Sequence, residues 1–107
     1  ERDVKRFTLP RTTAWEQVWR GASGREDDRV RFVIAANAQG LSEARFVRNQ
    51  IGTIFRLNAA VYRAYGPETG YRIVVGANLT RGEAVSMLND VRRRGLNGAY
   101  LFELIHA

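Results

Sequence analysis

Residues 71–75 show the alternation of a half-buried β-strand. Tyr71, Ile73 and Val75 occupy every second position, with Arg72 and Val74 between them. Side chains in a strand point to opposite faces in turn, so this two-residue period predicts one face in a core and one face outside it. Residues 76–78 (Gly-Ala-Asn) then break the pattern and predict a turn.

The next segment has the spacing of a capped helix followed by a second strand. Thr80 and Glu83 have the three-residue separation of a capping box, in which each side chain bonds the other residue's backbone amide. Apolar residues then recur at helical spacing, at Ala84, Met87, Leu88 and Val91. Gly95 predicts the end of this helix, and the apolar run from Ala99 to Leu104 predicts the second strand.

The same order of patterns occurs upstream, so the chain contains an internal repeat. Residues 32–37 align with 71–76, and residues 42–44 align with 82–84. A second helical stripe follows at Ala44, Val47, Ile51 and Ile54, and Ala59 to Tyr65 predicts the strand that closes this half. Two βαβ halves predict an α+β, ferredoxin-like (split βαβ) domain in the order β-α-β-β-α-β, a four-stranded antiparallel sheet with two helices on one face.

The alignment of the two halves also assigns the faces of the first strand. It predicts that Phe32, Ile34 and Ala36 face the helices, and that Val33 and Ala35 lie on the opposite, open face of the sheet. A sheet face without helices has to be polar, covered or used for binding.

Residues 1–28 form a separate N-terminal region, and the domain is predicted to span 29–107. We expect an arm with an added edge strand around Val4 to Leu9, then a short helix that begins with a capping box at residues 13–16. Trp15 and Trp19 lie on one side of this helix and either pack on the domain or contact a partner. Residues 22–28 read as a linker.

The motifs of the second half resemble a known family. It resembles the SPOR (sporulation-related repeat) domain in four motifs: an aromatic-x-Ile-x-Val-Gly strand, a short loop, a helix that starts with Glu-Ala, and Gly-x-x-x-Ala-Tyr before the last strand. The resemblance covers Phe32 to Leu104. It implies a module, without a cofactor, that binds stem-peptide-free glycan strands of bacterial peptidoglycan. It also implies a periplasmic or cell-envelope location, where such a module targets its parent protein to the cell wall or division site.

A binding site is expected on the open face. Aromatic rings there would stack on sugar C–H faces, and Arg or Asn side chains would donate hydrogen bonds to sugar hydroxyls and acetamido groups. The ligand-binding candidates are Ala35, Asn37, Tyr62, Arg63, Arg72, Val74, Tyr100 and Phe102.

Composition narrows the function classes. The net charge is +6 and nearly all of the 17 basic residues are arginine, which fits either a solvated surface or an acidic partner. The chain has no Cys, and its one His is His106, so a disulfide or thiolate metal site is excluded.

We find no acid pair, nucleophile–base set or phosphate loop and therefore predict no enzymatic activity. No apolar run is long enough for a membrane span. Because the chain starts at Glu1 without Met, we expect a processed or excised chain, and an anchor could have been lost with the missing part.

Two alternatives stay open. SPOR domains usually have Gln where this chain has Ala35 and Gly where it has Asn37, so the chain could be a SPOR-like protein-interaction domain that has lost glycan binding. RNA-binding RRM domains share the predicted topology, but residues 71–75 lack the aromatic cluster that such a domain carries on its third strand.

Overall fold

The computed structural model describes residues 4–8, 29–64 and 68–105. The order of elements is β1 (Val4–Thr8), β2 (Arg29–Ala38), α1 (Leu41–Ile54), β3 (Ala60–Arg63), β4 (Tyr71–Leu79), α2 (Arg81–Arg93) and β5 (Tyr100–Ile105). The predicted helix with Trp15 and Trp19 and the linker after it lie outside the described residues, as does His106.

The strands form one sheet in the order β1-β5-β2-β4-β3. Each neighbouring pair among the strands β5-β2-β4-β3 is antiparallel, and with the two helices these strands make the predicted ferredoxin-like α+β fold. The predicted N-terminal edge strand is also confirmed: β1 runs parallel to β5 and extends the sheet to five strands.

Both helices pack most of their predicted stripes against one face of the sheet, but the prediction for Ile54 is wrong, because its side chain is 62% exposed at the end of α1. The cluster that they form there with the strands includes Ala44, Ile51, Ile73, Val75, Ala84, Leu88, Val91 and Leu101, and we call it the helix-side core. The capping box at the start of α2 is present: Thr80 Oγ1 accepts from the Glu83 amide at 3.2 Å, and Glu83 Oε1 accepts from the Thr80 amide at 2.9 Å. Local sequence thus sets both the start and the orientation of α2.

The predicted facing of the first strand is wrong. Val33 and Ala35 belong to the helix-side core, whereas Phe32 and Ile34 lie on the opposite face. Every residue from Phe32 to Ala36 is apolar, so the run has no alternation that could fix its facing. Irregularities in the β2–β4 register at residues 33–36 shift the pairing further, and Ala36 then packs on the helix-side core as predicted.

The face opposite α1 and α2, which we call the second face, is not bare. Its centre consists of buried residues from three strands: Phe32, Ile34, Val74, Phe102 and Leu104. Tyr62, Ala77 and Tyr100 are partly buried around them. The face that was expected to be open therefore carries a second apolar cluster. Large apolar side chains in such a cluster are unfavourable in water, which agrees with their burial.

Candidate functional site

The second face divides into a closed half and an accessible half. On β2 and β5, Phe32 and Leu104 are each 0% exposed and Phe102 is 3% exposed. On β3 and β4, Tyr62 and Ala77 keep part of their surface exposed. A cleft of about 220 Å³ lies there, lined by Asn58, Ala59, Ala60, Tyr62, Val74, Val75, Gly76 and Ala77, and we call it the β3–β4 cleft.

Tyr62 is the aromatic side chain of this cleft, and the sheet fixes its position. It pairs with Arg72 across the β3–β4 ladder, and its ring meets the buried ring of Phe32 edge to face, with centroids 6.2 Å apart and planes at 67°. Such an arrangement is favourable between aromatic rings because the edge of one is positive and the face of the other negative. One side of the Tyr62 ring is thus held by the core while the side chain as a whole stays half-buried.

A polar network borders the same face. The Arg72 guanidinium donates from Nη2 to Glu68 Oε1 at 2.8 Å and from Nη1 to the Tyr71 carbonyl at 3.1 Å. The Tyr100 hydroxyl donates to Asn37 Oδ1 at 3.0 Å, and the positive charge of Arg72 acts on the same hydroxyl. Arg72 itself is only 8% exposed, so its charge is held by protein groups rather than by water.

Burial sets the protonation of Tyr100. Loss of hydration around its hydroxyl raises the pKa of Tyr100 above 10.0, and the nearby Arg72 charge and the Asn37 hydrogen bond oppose this rise without cancelling it. The phenol therefore stays neutral at physiological pH and keeps its proton as a hydrogen-bond donor. Its hydrogen bond to Asn37 connects β5 to the end of β2.

The structure brings most of the predicted site residues together. Tyr62, Val74, Tyr100 and Phe102 belong to the second-face cluster, and the charge of Arg72 acts on Tyr100 there. Asn37 is exposed and bonds Tyr100, so it lies at the border of the face. Their predicted role in ligand binding stays a prediction.

Two of the predicted residues lie elsewhere. Ala35 is 5% exposed within the helix-side core, which removes it from the second face. Arg63 is exposed at the end of β3 and lines a different cleft, of about 400 Å³, together with Gln39, Ala64, Glu68, Thr69, Gly70 and Tyr71.

Sequence reasoning missed the residues that close the second face and one polar residue of the cleft. Phe32 and Ile34 were assigned to the helices, and Leu104 had no assigned face, although an alternating Phe-Glu-Leu at 102–104 marks two apolar positions on one side of β5. Asn58 carried no signal of its own, because a loop asparagine is common at any helix end.

The described residues offer no metal-binding group of three or more His, Cys, Asp or Glu side chains. Within the same ranges, no helix is both long and apolar enough to cross a membrane. What the β3–β4 cleft presents instead is an aromatic ring, an amide side chain and small residues that leave it open.

Comparison with models of protein families, with curated proteins and with solved structures gave no match to this chain.

Proposed function

We propose that this chain is a non-catalytic module that binds stem-peptide-free glycan strands of bacterial peptidoglycan through the β3–β4 cleft. The observation that carries the proposal is the partly buried side chain of Tyr62, which lines a shallow cleft on the sheet face opposite the helices. The resemblance of residues 32–104 to SPOR domains names the ligand class.

The chemistry of the cleft suits a sugar polymer. A tyrosine ring offers a flat apolar surface to sugar C–H groups and a hydroxyl to water or ligand. The Asn58 amide, which is exposed, can both donate and accept hydrogen bonds with a hydroxyl or an acetamido group. Ala60 and Ala77 are small, so a ligand can approach the backbone closely.

The size of the cleft favours a long ligand held on one side over a small molecule that is enclosed. Its volume of about 220 Å³ is below the roughly 300–1,000 Å³ of pockets that enclose small ligands. A shallow cleft beside an edge strand lets a chain continue past it in both directions. By this proposal the module targets its parent protein to the cell wall or division site in the periplasm or cell envelope.

Replacement of Tyr62 tests the proposal. We expect Tyr62→Ala to weaken cosedimentation with amidase-treated peptidoglycan sacculi by at least about fivefold, since loss of a central aromatic contact costs more than about 1 kcal/mol. Tyr62→Phe keeps the ring and should retain most of the binding. Intact sacculi, whose stem peptides remain, should bind less protein than treated sacculi.

The control is an aromatic residue on the other layer of the domain. Phe46 lies on α1 and is 63% exposed, so Phe46→Ala removes a similar ring without touching the second face. Equal binding by Tyr62→Ala and wild type, at unchanged melting temperature, would remove the β3–β4 cleft as the site. A loss of binding in Phe46→Ala alone would move the site to the helices.

The salt dependence of binding separates a glycan from a nucleic acid. Affinity that rests on many Arg–phosphate contacts falls steeply as salt rises, whereas stacking and neutral hydrogen bonds respond little. We expect weak salt dependence. Salt-sensitive binding to single-stranded RNA, with none to sacculi, would favour the RRM-like alternative.

A protein-interaction role is the second candidate, and one observation favours it. Leu41, Phe46 and Ile54 of α1 are 39%, 63% and 62% exposed, which is unusual for large apolar side chains on one helix. If the module has lost glycan binding, Phe46→Ala should reduce capture of a protein partner while Tyr62→Ala has no effect on either ligand.

A further inference from the structure

A second cleft adjoins the β3–β4 cleft at the edge of the sheet. It has a volume of about 370 Å³ and is lined by Arg48, Asn49, Gly52 and Thr53 of α1 and by residues 57–59, which lead into β3. We call it the α1 cleft. Residues 58 and 59 line both clefts, so a long ligand that continues from the β3–β4 cleft towards α1 enters the α1 cleft.

The spacing of residues along α1 builds one wall of this cleft. Arg48 and Gly52 are four residues apart, as are Asn49 and Thr53, so each pair lies one turn apart on the same side of the helix. Gly52 contributes no side chain, and a Cβ at this position would lie 3.6 Å from the Leu57 carbonyl oxygen. Gly52 and Leu57 both line the cleft, so a side chain at residue 52 would reduce its width.

Arg48 brings a positive charge to the α1 cleft. Its guanidinium donates from Nε and from Nη2 to Asn49 Oδ1, at 3.3 Å in both cases, and no carboxylate of the described residues forms an ion pair with it. The guanidinium has more N–H donors than these two bonds use. Because Arg48 is half-buried, an anion bound to it would be screened less by water and salt than at a fully exposed arginine.

The lining of the α1 cleft contains this charge and no Asp or Glu. A planar guanidinium pairs especially well with a carboxylate, since two parallel hydrogen bonds can form between them. The α1 cleft is therefore suited to a ligand that carries a single carboxylate beside neutral polar groups.

The glycan strands of the proposed function carry such a group. In intact peptidoglycan the lactyl group of every second sugar is joined to a stem peptide through an amide bond, which has no charge. Hydrolysis of that bond by an amidase adds water across it and leaves a carboxyl group on the lactyl carbon chain, which is ionised at neutral pH. The lactyl carboxylate therefore exists only where the stem peptide has been removed.

We propose that the α1 cleft is a second subsite for the glycan strand, in which Arg48 pairs with a lactyl carboxylate while a neighbouring sugar occupies the β3–β4 cleft. This inference rests on the proposed function and gives a physical reason for its preference. A strand that keeps its stem peptides presents a neutral amide to Arg48 and forms no ion pair there. One carboxylate contact also agrees with weak salt dependence, because the effect of salt grows with the number of charges that are paired.

Neutralising the lactyl carboxylates tests the pairing without any change to the protein. Soluble strands released by an amidase are compared with the same strands after carbodiimide coupling to ammonia, which converts each lactyl carboxylate to a neutral amide. In calorimetric titrations, we expect the wild-type protein to bind the amidated strands at least about fivefold more weakly, which corresponds to about 1 kcal/mol. Arg48→Gln should bind both kinds of strand with the same, lower affinity, because the charge that distinguishes them is missing.

Two other variants separate this subsite from general effects. Arg93→Gln removes the same charge from a side chain of α2 that is 74% exposed, so it should keep the fivefold difference between the strands. Tyr62→Ala should weaken the binding of both strands by a similar factor, because it acts in the β3–β4 cleft.

The outcomes distinguish failure of the subsite from failure of the proposed function. Equal affinity of the wild-type protein for the two strands would overturn the subsite and leave the β3–β4 cleft in place. A difference that persists unchanged in Arg48→Gln would also overturn it, because another residue would then recognise the carboxylate. If the wild-type protein binds neither strand, the proposed function fails and this inference fails with it.

Discussion

Breaking the buried ion pair between Arg31 and Glu103 should destabilise the domain severely. Arg31 Nε lies 2.8 Å from Glu103 Oε2, and the two side chains are 4% and 3% exposed. They are also direct partners in the β2–β5 ladder, next to Phe32 and Phe102. Glu103→Gln keeps the shape of the side chain but removes the negative charge that lies 2.8 Å from the buried guanidinium.

The magnitude follows from that burial. Removing one partner of a buried pair costs about 3–5 kcal/mol, since the remaining charge is shielded from water and has lost the carboxylate opposite it. A domain of this size has roughly 5–15 kcal/mol of stability in total. With about 4–8 °C of melting temperature per kcal/mol for small domains, Glu103→Gln should lower Tm by at least about 12 °C.

Urea unfolding of single and double variants measures the effect. Arg31→Met combined with Glu103→Leu removes both charges and should recover most of the loss, because an apolar pair needs no counter-charge. Arg93→Met is the matched control: its ion pair with Asp90 is longer, at 3.6 Å, and its side chain is 74% exposed, so we expect a change of at most about 1 kcal/mol. A loss below about 1 kcal/mol in Glu103→Gln would refute the reasoning and mean that water reaches the pair.

Three other perturbations probe separate parts of the fold. Phe32→Ala should cost about 3–5 kcal/mol in urea unfolding, as expected for a fully buried ring and not for one on an open face; a loss under 1 kcal/mol would contradict a covered second face. Thr80→Ala should cost about 1 kcal/mol through loss of the capping box, and Thr80→Ser should restore it, which thermal melts can check. Burial raises the pKa of Tyr100 above 10.0, so the folded protein favours the neutral phenol more than the unfolded chain does. The contribution of this phenol to the free energy of unfolding is complete below about pH 10 and is lost as pH rises through the higher pKa of the folded state. Tyr100→Phe should flatten this alkaline decline, and an unchanged decline would assign it to other groups.

The fold was predictable because its signals are local and repeated. Thr80 and Glu83 form a capping box within four residues, and this motif predicts the start of α2. The apolar residues from Ala84 to Val91 recur at helical spacing, which is enough to predict the buried side of the helix. The same pattern occurs twice, so two halves of one sheet follow from topology. The edge strand β1 was also visible as an alternating segment at the N-terminus.

The facing of β2 was not predictable from the repeat. In β4, Arg72 stands between Tyr71 and Ile73 and marks the sides of the strand, but Phe32 to Ala36 contains no polar residue to do so. Aligning Phe32 with Tyr71 is one residue out of step with the structure, and one residue reverses every side chain of a strand. Both faces of β2 are buried, so both carry apolar side chains, and this is the physical reason why its facing was predicted wrongly.

The candidate site was predictable only in part, for a related reason. Tyr62, Val74, Tyr100 and Phe102 were placed on the correct face, but sequence alternation does not reveal whether a face is covered. Arg72 illustrates the difference: it was expected as an exposed hydrogen-bond donor, and it is instead buried and paired with Glu68. Replacing it would therefore test stability before it tests binding.

The parallel pairing of β1 with β5 has a consequence for the order in which the chain is made. β5 lies between β1 and β2, and Val4 pairs with Leu101, so the N-terminal strand has no place in the sheet until the last described strand has been synthesised. Until then one long edge of β2 has no partner, and unpaired edges invite association between chains. Contacts between residues so distant in sequence also form slowly. Vectorial synthesis thus leaves the nascent domain most exposed to aggregation just before it is complete.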